Sequence, residues 1–146
     1  MPPAIRIDGL IAAKRPAILQ SFTREVLMRG FPTPQATAAE IARPADACIT
    51  ALIRSLGPAP LDDHQKLALA VDYAEQRARL GYDLRALLTE FGLLRGILLE
   101  AIGAQVASTD AGQRIADFLH EVMVEAALRF ASPARHRISA APASYS

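Results

Sequence analysis

Apolar residues return along this chain at three- and four-residue intervals, the period of an α-helix that buries one face. The first such segment covers residues 10 to 29, with Ile18, Leu19, Phe22 and Val26 on one stripe. Pro16 stands near its first turn or at a kink, and Gly30 marks its stop. Pro32 and Pro34 punctuate a turn in which Thr33 is placed to cap a short helical piece through Ile41, and Pro44 opens a further helix that ends at Leu56 and Gly57. Gly57 to Pro60 reads as a linker. Asp62, with Gln65 three residues on, has the spacing of a capping box and starts a helix to Leu80, which Gly81 ends. Asp83 is placed to cap the next helix, from Leu84 to about Ala107, and so short a connection makes the two helices antiparallel neighbours. Ser108 to Asp110 forms the next break, Asp110 with Gln113 repeats the capping pattern, and the last helix runs to Phe130 before Ser132 and Pro133 stop it. The expected architecture is all-α: a compact bundle of about five helices around a central antiparallel hairpin. One domain spans residues 1–131, and the Ala/Pro/Ser-rich tail at 132–146 is expected to be disordered.

The helix faces differ. In the last helix Ile115, Leu119, Val122, Ala126 and Phe130 oppose Arg114, Asp117, Glu121 and Glu125, the arrangement of a surface helix with one buried side. The helix from His64 to Leu80 has one stripe of Leu67, Val71, Ala74 and Ala78 and a second of Leu69, Tyr73 and Leu80, so it either sits between layers or offers a face to a partner. The helix from Leu84 carries Leu84, Leu87, Leu88, Phe91, Leu94, Leu98 and Ile102 on one broad side. Arg95 falls within roughly 20° of the line through Leu84 and Ile102 at ~100° per residue. A guanidinium there either pairs with a carboxylate, for which Glu75, Asp72, Glu121 and Glu125 are available, or reaches to the edge of the bundle. Gly92, Gly96 and Gly103 fall on another side, and each costs ~1 kcal/mol against Ala in a helix interior. A tight helix crossing would compensate, within the chain or between two copies.

Composition narrows the function classes. Of 146 residues, 51% are apolar and only 5% aromatic, with no Trp, which suits helices and starves a β-sandwich. Sixteen basic against 15 acidic residues leave a net charge of +1, with no surplus for phosphates or anionic lipid, so neither nucleic acid nor a membrane is an expected partner. A weak likeness to a helix-turn-helix opening, Arg29-Gly-Phe followed by Ala39-Glu-Ile-Ala42, lacks a basic reading helix, because no basic residue stands between Pro44 and Arg54. The lone Cys48 and the absence of a signal-peptide core fit a cytoplasmic protein. Three histidines, His64, His120 and His136, form no ligand spacing, and no phosphate loop, nucleophile elbow or acid–base pair is present. No enzyme activity, metal or cofactor, haem included, is expected.

The stretch Tyr73-Ala-Glu-Gln-Arg-Ala-Arg-Leu-Gly-Tyr-Asp-Leu-Arg-Ala-Leu-Leu-Thr-Glu-Phe-Gly-Leu-Leu-Arg-Gly-Ile-Leu-Leu99 resembles the N-terminal input domain of RsbRD-type stress-response co-antagonists, and similar domains that head some bacterial sensor histidine kinases. The matching positions are Arg77, Gly81, Tyr82, Leu84, Leu87, Leu88, Glu90, Leu94 and Arg95, framed by a first helix at 15 to 29 and a last one at 115 to 131. That family often has a histidine where Tyr73 stands. The resemblance implies an all-α sensory or regulatory module, commonly dimeric, that passes its signal to an output domain. Neither a STAS-like segment nor a kinase core fits among these helices. The expected function is therefore a non-catalytic signalling module that binds another protein, a kinase or an anti-sigma-type regulator, as a homodimer. The alternative is a small-molecule sensor with a pocket near Arg77 and Arg95. Leu69, Tyr73, Arg77, Glu90 and Arg95 are the expected ligand- or partner-binding residues.

Overall fold

Backbone N–H groups at a helix start need outside acceptors, and three helices of the computed structural model find them in their own side chains. The structure describes residues 6–30 and 36–132, and among them it contains six helices and no strand. They are α1 (Ile7–Arg29), α2 (Ala38–Leu56), α3 (Asp63–Arg79), α4 (Leu84–Ile102), α5 (Ala104–Ala107) and α6 (Asp110–Phe130). At α2 the Thr37 hydroxyl accepts from the Glu40 N–H at 3.1 Å while Glu40 Oε1 accepts from the Thr37 N–H at 2.9 Å. Asp62 and Gln65 make the same reciprocal pair at α3, at 2.7 and 3.0 Å. Asp83 accepts from the Ala86 N–H at 2.8 Å and starts α4.

Four expected boundaries shift. The short piece capped by Thr33 and the helix opened by Pro44 are replaced by one helix, α2, capped at Thr37 and carrying Pro44 inside it; Thr33 lies outside the described residues. Pro16 likewise sits within a continuous α1, on its exposed side. The helix expected to reach Ala107 stops at Ile102, because Gly103 takes φ +88°, where a helix cannot continue, and the four-residue α5 follows. Asp110 does not cap α6: it is the first helical residue after Thr109, and Gln113 Nε2 instead donates to Asp117 at 2.7 Å. The tail beyond Ser132 lies outside the described residues.

The core is one continuous cluster. Ile18, Phe22 and Val26 of α1, Ile41, Cys48 and Leu52 of α2, Leu87, Leu94 and Leu98 of α4, and Ile115, Leu119 and Val122 of α6 meet in it. Backbone neighbours are α1 with α2 and α4, α3 with α6 and α2, and α4 with α6. Ion pairs Lys66–Glu121 at 2.9 Å and Arg129–Glu75 at 2.8 Å bind the outer sides of α3 and α6. The α3–α4 hairpin is thus not the closest helix pair of the bundle; those two helices meet through long side chains. Gly92 and Gly96 are exposed, with open space where a Cβ would stand, so no crossing within the chain compensates them.

Candidate functional site

One stripe of α3 faces inward: Ala70, Tyr73, Ala74 and Arg77, spaced three and four residues apart. The two alanines let α3 come close, and the two long residues reach across to α2 and α4. On α4 the buried arc includes Glu90 between Leu87 and Leu94. Arg77 and Glu90 are both 0% exposed and Tyr73 is 1% exposed, so three polar side chains share a dry interior.

The cluster is organised on a single carboxylate oxygen. Glu90 Oε1 accepts from Arg77 Nε at 2.9 Å, from Arg77 Nη2 and from the Tyr73 hydroxyl. The remaining guanidinium donors point at α2, where Nη1 donates to the Glu40 carbonyl at 3.1 Å and Nη2 to the Ile41 carbonyl at 2.8 Å. That direction has a covalent cause. In a helix the carbonyl of residue 40 accepts from the N–H of residue 44, and Pro44 has none, so the Glu40 carbonyl would be left unpaired within α2. Arg77 supplies the missing donor from another helix.

The end of α3 completes the site. Gly81, at φ +82°, donates to the Ala78 carbonyl at 3.0 Å, and the Tyr82 N–H donates to the Arg77 carbonyl at 3.1 Å. These two bonds make a Schellman turn, which folds Tyr82 back over the last turn of α3. The Arg77 guanidinium therefore lies 5.1 Å from the Tyr73 ring centre and 5.2 Å from that of Tyr82, while Tyr73 packs on Phe91 at 4.7 Å. Both contacts add cation–π attraction to a charge that has lost its water.

The electrostatics follow from burial and from the pair. Burial works against the charged guanidinium, but Tyr73 and Glu90 beside it outweigh that and hold Arg77 protonated. Burial, then the Glu90 charge, raises the Tyr73 and Tyr82 hydroxyls well above the usual phenol range. The Cys48 thiol is pushed up to about 12 by burial and then by Glu90, so it is not a nucleophile at neutral pH. Chemically the arrangement is a neutral, closed ion pair: it binds three helices together and exposes no acid, base or nucleophile.

The five residues expected at the site separate in space. Tyr73, Arg77 and Glu90 converge, whereas Leu69 is half-buried against the core and Arg95 is exposed. Arg95 reaches the edge of the bundle rather than a buried carboxylate, and it lines a shallow groove between α4 and α6 of about 360 Å³ with Asp117 and His120. Arg77, with no exposed surface, lies away from it. Sequence reasoning left two parts out of the cluster, Tyr82 and the donor that Pro44 withholds from α2. The signals were a glycine two residues past the end of α3 and a proline at the seventh position of α2.

Among the described residues no three His, Cys, Asp or Glu side chains converge as a metal site, and no helix is long and apolar enough to cross a membrane. No curated protein and no solved structure matches the chain. Residues 16–135 match the family described as the RsbT co-antagonist protein rsbRD N-terminal domain. That span takes in the caps, Pro44, the Tyr73–Glu90–Arg77 cluster and all of α6, and this chain belongs to the RsbRD N-terminal domain family.

Proposed function

We propose that this chain is a non-catalytic input module of bacterial stress-response signalling that works through protein contacts, as a homodimer and toward a regulatory protein of kinase or anti-sigma type. The observation that carries this reading is the family match taken together with the closed Tyr73–Glu90–Arg77 cluster. The Arg77 and Tyr73 donors are spent on holding helices, which leaves surfaces for recognition. The outward side of α6 carries Val124 and Leu128, one turn apart and exposed by 36% and 59%, and is the candidate face for the regulator. The small-molecule alternative has less support, since Arg77 is fully engaged inside and Arg95 stands on a separate groove.

The test is binding of purified candidate kinase and anti-sigma-type regulators to the wild-type chain and to Leu128→Asp. Tyr73→Asp is unsuitable, because it would place a carboxylate in the dry core. The expected outcome is loss of binding by Leu128→Asp with an unchanged circular dichroism melt. Unchanged binding would move the contact to another face, and no binding by the wild type to any regulator of either class would remove the reading.

A further inference from the structure

A groove of about 920 Å³ runs between α1 and α4. Its floor is apolar, made by Ile18 of α1 and Leu93 and Ile97 of α4. Lys14 Nζ donates to the Ala101 carbonyl at 2.7 Å, which pins the early part of α1 to the end of α4. From there the groove continues along α4 back to Thr89 and along α1 forward to Arg29, so the two helices run antiparallel. Its two ends differ in charge. Glu100 stands at the Lys14 end and makes no ion pair among the described residues, and the Lys14 ammonium there keeps its charge while donating to the Ala101 carbonyl. Arg24 stands toward the other end, also without an ion pair among the described residues, beside the Arg29–Glu25 pair at 3.8 Å.

We infer that this groove is the face on which a second copy of this chain docks, around a two-fold axis that passes near Gly92 and Gly96. A two-fold axis across the groove reverses its direction, so the end carrying Glu100 meets the end carrying Arg24 of the partner copy, and the reverse. Each unpaired ion then gains an opposite charge. The exposed line of α4 is Thr89, Gly92, Gly96 and Glu100, and its centre has no side chain, so α4 of one copy can lie in the groove of the other at close backbone distance. Those two glycines are otherwise a cost to α4 with nothing in the chain set against it.

This inference rests on the homodimer part of the proposed function and locates it. Light scattering coupled to size exclusion, over a concentration series, reads the oligomeric state of the wild type, Gly96→Leu, Arg24→Glu, Glu100→Arg and the double charge swap. Gly96→Leu fits the monomer, because open space lies above it and leucine favours the helix. The expected result is a wild-type dimer that Gly96→Leu weakens by about tenfold or more with an equal or higher melting temperature. Each single charge reversal weakens it too, and the double swap restores it. A dimer untouched by Gly96→Leu and by the charge reversals would overturn the groove while leaving the homodimer standing. A monomer at every concentration would overturn both, and the regulator-binding reading would still be judged by its own test.

Discussion

A buried arginine is tolerated only where its charge is paired and its nitrogens find acceptors, and Arg77 meets that condition with partners on three sides: Glu90, two α2 carbonyls and two tyrosine rings. Removing one member leaves the other charge stranded in a dry core. Glu90→Leu is therefore expected to destabilise the fold by about 3–5 kcal/mol, and Arg77→Met by a similar amount. The pair Arg77→Met with Glu90→Leu should cost clearly less than the sum of the two, because neither charge is then uncompensated. Urea unfolding of the four proteins checks this, and strict additivity would show that the ion pair is not a unit. Arg95 makes the contrast. At ~100° per residue the buried arc of α4 is centred near Leu87 and Leu94, and Glu90 falls inside it, while Leu84, Leu88 and Arg95 stand on its exposed margin. The apolar side of α4 is wider than the side it buries, and a helical wheel cannot tell which part of a wide apolar arc meets a neighbour.

At the scale of elements, α2 and α3 are joined by a donor that one helix lacks and the other lends. Pro44→Ala restores an N–H facing the Glu40 carbonyl and competes with Arg77 Nη1 for it. A double-mutant cycle should then show coupling: Arg77→Met is expected to cost about 1 kcal/mol less in the Pro44→Ala background than in the wild type. Equal costs in both backgrounds would mean that the guanidinium does not stand in for the N–H that Pro44 lacks. Such a link is invisible in one-dimensional spacing, which explains the pattern of what the chain disclosed. The capping pairs Thr37–Glu40 and Asp62–Gln65 act over three residues, and the second was legible as a motif. Thr37 was passed over because prolines at 32 and 34 drew the helix start toward Thr33 and because Pro44 read as a new beginning. Gly103 carried no mark to separate it from Gly92 and Gly96; only the fold gives one of the three a positive φ and leaves the other two helical and open. Tyr73, Arg77 and Glu90 were all legible as residues of interest, yet their convergence required the tertiary arrangement.

The whole molecule shows its buried cluster most directly in alkaline solution. Tyr73, Tyr82 and Cys48 all have their proton affinities raised in the folded state, by burial first and by the Glu90 charge second. In the unfolded chain they return to ordinary values, 10.0 for the tyrosines and 9.0 for the thiol. Below those values both states keep the protons and the three groups add no pH dependence. Above them the unfolded state releases protons that the folded state retains, so the unfolded state binds fewer and stability falls as pH rises. Each such group contributes a slope of about 1.4 kcal/mol per pH unit until its folded-state value is reached. Urea unfolding from pH 8 to 11 should show stability level at first and then falling with a steepening slope. Tyrosinate absorbance supplies the second readout. Of the three tyrosines, Tyr145 lies outside the described residues, while Tyr73 and Tyr82 should ionise only together with the loss of helical circular dichroism. Ionisation of either buried tyrosine near pH 10 in a chain that keeps its helices would mean that water reaches the cluster, and the closed ion pair that ties α2, α3 and α4 together would have to be abandoned.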